Sequence, residues 1–258
     1  MKKLRQAFSW WCVANRGVEN ADLLAGAAKI GYAAVDLVGP ELWPLVKENG
    51  LKLGAIAGHG TLTEGLNKKK NAQRIEAELR ASIEQAVEWN IPVLICFSGN
   101  RDGLDDETGL ENCAATLTRI APAAEKAGVV LAVELLNSKR DHEDYQGDST
   151  AWGVRLCERV NSPAVKLLYD IYHMQIMEGD LIETIRRYHG QFAHYHTAGN
   201  PGRGQPDENQ EINYPAIYRA IAALGEDKLI CHEFLPAGDP LEALGKAYKD
   251  CAAAVGKG

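Results

Sequence analysis

Gly128–Asn137 reads GVVLAVELLN: a glycine, an apolar run carrying Val129, Val130 and Val133, then Glu134, two leucines and Asn137, where a polar segment starts. A short apolar run rich in β-branched residues and bounded by glycine and polar residues reads as a strand buried on both faces. Its acid stands at the C-terminal end. The pattern recurs downstream. AVKLLYDIYH (164–173) reaches Asp170, QFAHYHTAG (191–199) carries His196, and KLICHEFLP (228–236) carries Glu233. Strands buried on both faces belong to parallel sheets covered by helices, so the stretches between these runs should be helical.

They are patterned that way along the whole chain. Strands are expected over 4–10, 33–38, 51–57, 91–97, 128–134, 164–170, 191–196 and 227–233. Helices are expected over 19–30, 41–49, 68–89, 106–127, 149–160, 175–188, 213–224 and 239–254. The third helix has the clearest apolar face, with Ile75, Leu79, Ile83 and Val87. Gly31 and Gly128 stand where helices hand over to strands. Pro122 implies a kink or an early stop in the fourth helix. Repeated strand–helix pairs without a linker or low-complexity stretch predict an α/β fold, a (β/α)8 TIM barrel over residues 1–258 as a single domain. The longer polar loops, 58–67, 98–106, 137–149 and 197–212, all follow strands, which is the face where barrel chemistry sits. An open doubly wound sheet needs a glycine-rich turn after its first strand, and WWCVANRG (10–17) offers none.

Composition narrows the function. Hydrophobic residues make up 46% and charged residues 24% of the 258, with a net charge of −7, so no basic surplus exists for nucleic acid or an anionic membrane. No apolar run reaches the ~18 residues that span a bilayer. The six cysteines are scattered without a CxxC pair, which suits a reduced, soluble, cytoplasmic protein. Trp43 and Trp152, read as exposed loop aromatics, could mark a contact in a homo-oligomer.

A lone acid at a strand end is usually a helix cap. Four such residues ending the last four strands are different, because a barrel gathers them at one mouth. Glu134, Asp170, His196 and Glu233 would leave unpaired charge there unless a cation joined them. Three carboxylates and one imidazole suit one divalent ion, Mn²⁺, Mg²⁺ or Co²⁺, with Zn²⁺ an alternative. By alternation along strands, Ala132 shares the face of Glu134, His194 that of His196 and Cys231 that of Glu233, while Lys166 is placed at the opposite rim. Only one of Trp10 and Trp11 can face the pocket, and His232 points away from the Glu233 side.

The stretches GHGTLTEGLN, VLICFSGNR, LAVELLN, LLYDIYHMQ, HYHTAGNPGRGQ with EINY, and CHEF resemble the hydroxypyruvate isomerase family within the xylose-isomerase-like barrels, from about residue 58 onward. The resemblance implies a single divalent cation on Glu134, Asp170, His196 and Glu233, with Glu134 and Glu233 as the acid/base pair. It makes His173 a donor to substrate oxygens. Arg203 in the NPGRG loop could pair with a substrate carboxylate, His59 could close the pocket, and Lys139 and Arg101 are further anion-binding candidates. The implied chemistry moves a proton between adjacent carbons of a small hydroxy-carbonyl or sugar substrate, through an enediolate that a cation stabilises as a Lewis acid. Hydroxypyruvate to 2-hydroxy-3-oxopropanoate is the expected reaction. His196 is the ligand type of ketose 3-epimerases, whereas many hydroxypyruvate isomerases carry Gln there. Epimerisation of a small ketose and dehydration of a polyol ketone are therefore alternatives.

Overall fold

The computed structural model describes residues 3–256. Its elements are β1 (Arg5–Ser9), α1 (Trp10–Val13), α2 (Asn20–Ile30), β2 (Ala34–Asp36), α3 (Trp43–Glu48), β3 (Lys52–Leu53), β4 (Ala55–Ala57) and α4 (Ala72–Trp89). There follow β5 (Val93–Cys96), α5 (Asp106–Ala127), β6 (Val130–Glu134), α6 (Thr150–Val160), β7 (Val165–Asp170) and α7 (Ile171–Met177). The chain closes with α8 (Leu181–Tyr188), β8 (Phe192–Thr197), α9 (Tyr214–Ala223), β9 (Leu229–His232) and α10 (Pro240–Val255). Within each unit the paired strands run parallel.

Two compact units divide the chain. The first takes the chain up to Gly54, Asp180–His189 and everything from Tyr195 onward. Its strands neighbour one another in the order β3-β2-β1-β9-β8. Register here fixes what shares a level: Ser9 lies opposite Asp36, Phe8 opposite His232, and His196 opposite Cys231. Beneath that level Ala7, Ala34, Leu229 and Cys231 form one buried cluster, two residues below Ser9, Asp36 and Glu233 on the same strand faces.

The second unit, Ala55–Gly179 with Gly190–His194, orders its strands β7-β6-β5-β4. Glu134 pairs with Leu168 and Ala132 with Lys166. Lys166 Nζ donates to the Gly190 carbonyl at 2.8 Å. α5 runs unbroken through Pro122, capped at its start by Asp105, which accepts from the Thr108 N–H at 2.8 Å, and at its end by Gly128 in the left-handed region. The expected break at Pro122 is therefore absent, and the proline ring sits on the exposed side of the helix.

Other expectations need correcting too. Val87 is 55% exposed, and Ala86 takes its place in the buried stripe with Ile75, Leu79 and Ile83. Three helical turns span about 10.8 residues, so position 86 and not 87 returns to the face of Ile75. Strand 51–57 is interrupted at Gly54, where a Cβ would stand 2.2 Å from Asp36 Oδ1. The helix expected over 175–188 is two: α7 starts at Ile171, capped by Asp170, and the chain then turns through Gly179 and Asp180, both at positive φ. Trp43 and Trp152 are each only 4% exposed, their indole N–H groups donating to the carbonyls of Val38 and Asp106. They are core residues and give no sign of a contact between copies.

Candidate metal centre

Glu233 follows β9 directly, and its backbone N–H donates to the Thr197 carbonyl at 2.9 Å, so the ladder fixes its height beside His196. Its carboxylate is only 3% exposed and heavily hydrogen-bonded. Oε1 accepts from Ser9 Oγ at 3.1 Å and Trp11 Nε1 at 2.9 Å. Oε2 accepts from the Arg203 guanidinium at 2.5 Å and lies 3.2 Å from His196 Nδ1. Burial alone would raise this carboxyl, but the charges of His196 and Arg203 and the indole bond hold it well below the usual range. Glu233 is therefore an anion. His196, fully buried, is pushed the other way: burial would lower it, but the Glu233 carboxylate raises it well above an ordinary imidazole.

Trp11 and Trp10 illustrate how one register step decides a role. Trp10 is buried, whereas Trp11 is 45% exposed, with the Arg203 guanidinium 5.2 Å from its ring centroid. Arg203 itself has φ 54 in the loop after β8, and its carbonyl accepts from the Leu235 N–H at 2.8 Å. The loop is thus tied to the chain just beyond Glu233.

In the second unit, Asp170 ends β7 and caps α7 by accepting the His173 N–H at 3.1 Å. The His173 ring is fully buried, with Nε2 3.6 Å from Asp170 Oδ2. Its Nδ1 accepts from the Asn137 N–H at 3.2 Å, which places the ring proton on Nε2, facing Asp170. Glu134 ends the neighbouring strand, 4% exposed. The carbonyl of Glu134 accepts from Tyr145 Oη at 3.0 Å, and Tyr145 Oη accepts the Ser98 N–H at 2.9 Å.

The remaining sequence candidates have the following places. His59 Nε2 accepts the Phe97 N–H at 2.9 Å, and burial lowers this imidazole to about 4, so it is neutral. Lys139 Nζ donates to the carbonyls of Ile176 and Met177 at the end of α7. Arg101 binds Asp148 and the carbonyl of Tyr145. His232 is held between Gln6 and Thr197 and is lowered by burial to about 3. Ser9 and Asp36 escaped the reading of the sequence. Asp36 ends the apolar run AAVD by the same rule that singled out Glu134, while Ser9 carries no local signal.

Buried ligand-type atoms gather within each unit among the described residues: in the first, His196 has its ligand atoms within 4.8 Å of those of Glu233 and of Asp36 and Cys231, and in the second, those of Glu134 and Asp170 lie within 4.8 Å of each other. Carboxylates, and a carboxylate beside one imidazole, are donors that fit a hard or borderline divalent cation. Asp36, His196 and Cys231 bring a carboxylate, an imidazole and a thiol, which suits zinc.

Residues 24–250 match the model of one protein family, described as xylose isomerase-like TIM barrel. The chain belongs to that family. Within it, the chain is 30% identical over 242 residues to a 2-oxo-tetronate isomerase of Cupriavidus necator, covering 87% of this chain and 90% of that protein. It is also 30% identical over 244 residues to a putative hydroxypyruvate isomerase of Streptomyces coelicolor, covering 84% and 85%. Among solved structures, the IOLI protein with a binding zinc atom superposes with a TM-score of 0.76 at 18% identity, covering 98% of this chain and 99% of that one, a likeness of fold. This member of the xylose isomerase-like family is an enzyme of the isomerase class. Among its described residues no helix is long and apolar enough to cross a membrane.

Proposed function

We propose that this enzyme is a metal-dependent aldose–ketose isomerase acting on a small α-hydroxy carbonyl acid, with hydroxypyruvate, isomerised to 2-hydroxy-3-oxopropanoate, as its substrate. The observation that carries the reading is the buried pair of Glu233 and His196, 3.2 Å apart in the first unit, with Glu134 and Asp170 buried at the ends of β6 and β7 in the second. The names of the curated relatives support the substrate class. One divalent cation held by these four residues, manganese, magnesium or cobalt, with zinc an alternative, supplies Lewis-acid stabilisation of the substrate's oxygens when bound.

The side chains do the rest. Glu233, kept anionic by Ser9, Trp11, Arg203 and His196, accepts the proton from the hydroxyl-bearing carbon. Glu134 serves the adjacent carbon. His173 presents Nε2–H toward the Asp170 side and orients a substrate oxygen, and Arg203, already against Glu233, meets the substrate carboxylate with the remainder of its guanidinium. Six buried free thiols support a reduced, cytoplasmic setting.

The test is turnover of manganese-loaded protein on hydroxypyruvate, 2-oxo-tetronate and small ketoses in D₂O, following deuterium uptake at the carbon next to the carbonyl. Exchange with hydroxypyruvate above the ketoses supports the reading. Absence of exchange with all of them removes the isomerase assignment, and preference for a ketose moves it to 3-epimerisation, which His196 favours.

A further inference from the structure

His196 is claimed twice within the first unit, by Glu233 on one side and by Asp36 with Cys231 on the other, and a single imidazole cannot serve both in the same way. Its Nδ1 lies 3.2 Å from Glu233 Oε2 and its Nε2 lies 3.7 Å from Asp36 Oδ2. A neutral imidazole carries one proton, and a nitrogen that binds a cation must give its proton up, leaving it on the other. The two groups therefore require opposite tautomers. With Glu233, the cation takes Nδ1 and the proton is on Nε2. With Asp36 and Cys231, the cation takes Nε2.

We propose that Asp36 is a positioning residue: its carboxylate receives the Nε2–H of His196 and so turns Nδ1 toward a cation held beside Glu233. The inference rests on reading that place as a cation site. Asp36 and His196 are both fully buried, so water screens neither, and their mutual attraction is strong for its distance. The backbone makes room for this carboxylate. A Cβ on Gly54 would stand 2.2 Å from Asp36 Oδ1, so the strand break at Gly54 is where the acid is housed. The register places Asp36 opposite Ser9, and Ser9 donates to Glu233. One level of the sheet thus holds the acid behind the imidazole and the acid in front of it. An outer carboxylate that fixes ring orientation and raises ligand basicity is a general device of histidine metal sites. In this arrangement Cys231, opposite His196 on β9, is a small packed side chain and not a ligand.

Calorimetric titration with Mn²⁺ compares the wild type with Asp36→Asn, which removes the charge at constant volume. Binding by the variant about 10–100-fold weaker is expected, and equal affinity overturns the proposal. Should the variant misfold, long-range ¹⁵N–¹H NMR of the wild type loaded with Mg²⁺ decides alone. A proton on His196 Nε2 upholds the role of Asp36, and a proton on Nδ1 overturns it. Cys231→Ser is expected to bind Mn²⁺ within twofold of the wild type. A loss matching that of Asp36→Asn, with a thiolate-to-cobalt charge-transfer band in the Co²⁺-loaded wild type, overturns the proposal in favour of the thiol-containing group. Failure of the wild type itself to bind any cation is read in the first titration and removes the proposed function, separately from any result on the variants.

Discussion

Replacing Tyr145 by Phe isolates one oxygen atom on which the end of β6 depends. Tyr145 and Ser98 are fully buried and Glu134 is 4% exposed. The hydroxyl accepts the Ser98 N–H at 2.9 Å and donates to the Glu134 carbonyl at 3.0 Å. Phe keeps the ring and leaves a buried N–H without that acceptor, a penalty of about 1–3 kcal/mol, while the Glu134 carbonyl loses one bond worth about 0.5–1.5 kcal/mol. Apolar area hardly changes, so no hydrophobic gain offsets the loss. The sum is roughly 2–4 kcal/mol, which for a chain of this size lowers the melting temperature by roughly 5–12 °C. Urea unfolding followed by circular dichroism measures it, through a lower midpoint at constant slope. Because the lost bond holds the backbone of Glu134, turnover at 25 °C should fall as well, with the variant still folded. A change below about 0.5 kcal/mol would refute the account, since surface-like behaviour of that hydroxyl is incompatible with two buried partners.

Three further outcomes follow from the geometry. A Cβ on Gly99, at φ +97, would stand 2.4 Å from Asn67 Oδ1 and 2.6 Å from Gly65 N; Gly99→Ala should therefore cost about 3 kcal/mol or more, whereas Gly179→Ala, at φ +68 with nothing within 4 Å, should cost only about 1–2 kcal/mol. Equal costs in urea melts contradict this. His59 is lowered by burial to about 4 from 6.5, so between those values the unfolded chain binds the extra proton. The stability this histidine lends is complete above pH 6.5 and is lost as the pH falls toward 4, by at most about 3 kcal/mol. His59→Gln should flatten the acid limb of the stability profile, and an unchanged limb excludes His59 as its source. Removing cations by dialysis against chelator should lower stability by about 2.7 kcal/mol relative to protein at a hundredfold excess of Mn²⁺ over its dissociation constant, which a thermal melt with and without the ion reads directly.

Much of the architecture is carried by local sequence. Apolar runs such as GVVLAVE and LLYD can satisfy their backbones and bury both faces only inside a helix-covered parallel sheet, so the alternation of strand and helix is legible before any coordinate. Caps are local as well: Gly31 and Gly128 end helices because a left-handed residue is cheapest without a Cβ. Strand-end acids stand out because an ionised group cannot stay within the apolar run.

What surrounds those acids was not legible. The donors on Glu233 come from Ser9, Trp11 and Arg203, up to 224 residues away in sequence, and no periodicity links them. Which of Trp10 and Trp11 faces outward, why Trp43 and Trp152 are buried, and why the third strand breaks at Gly54 all depend on register between elements. Local pattern specifies hydrogen bonding and burial within one element. Only the tertiary structure determines which neighbours a side chain meets, because that depends on strand pairing across the chain, where a single step of register exchanges one face for the other.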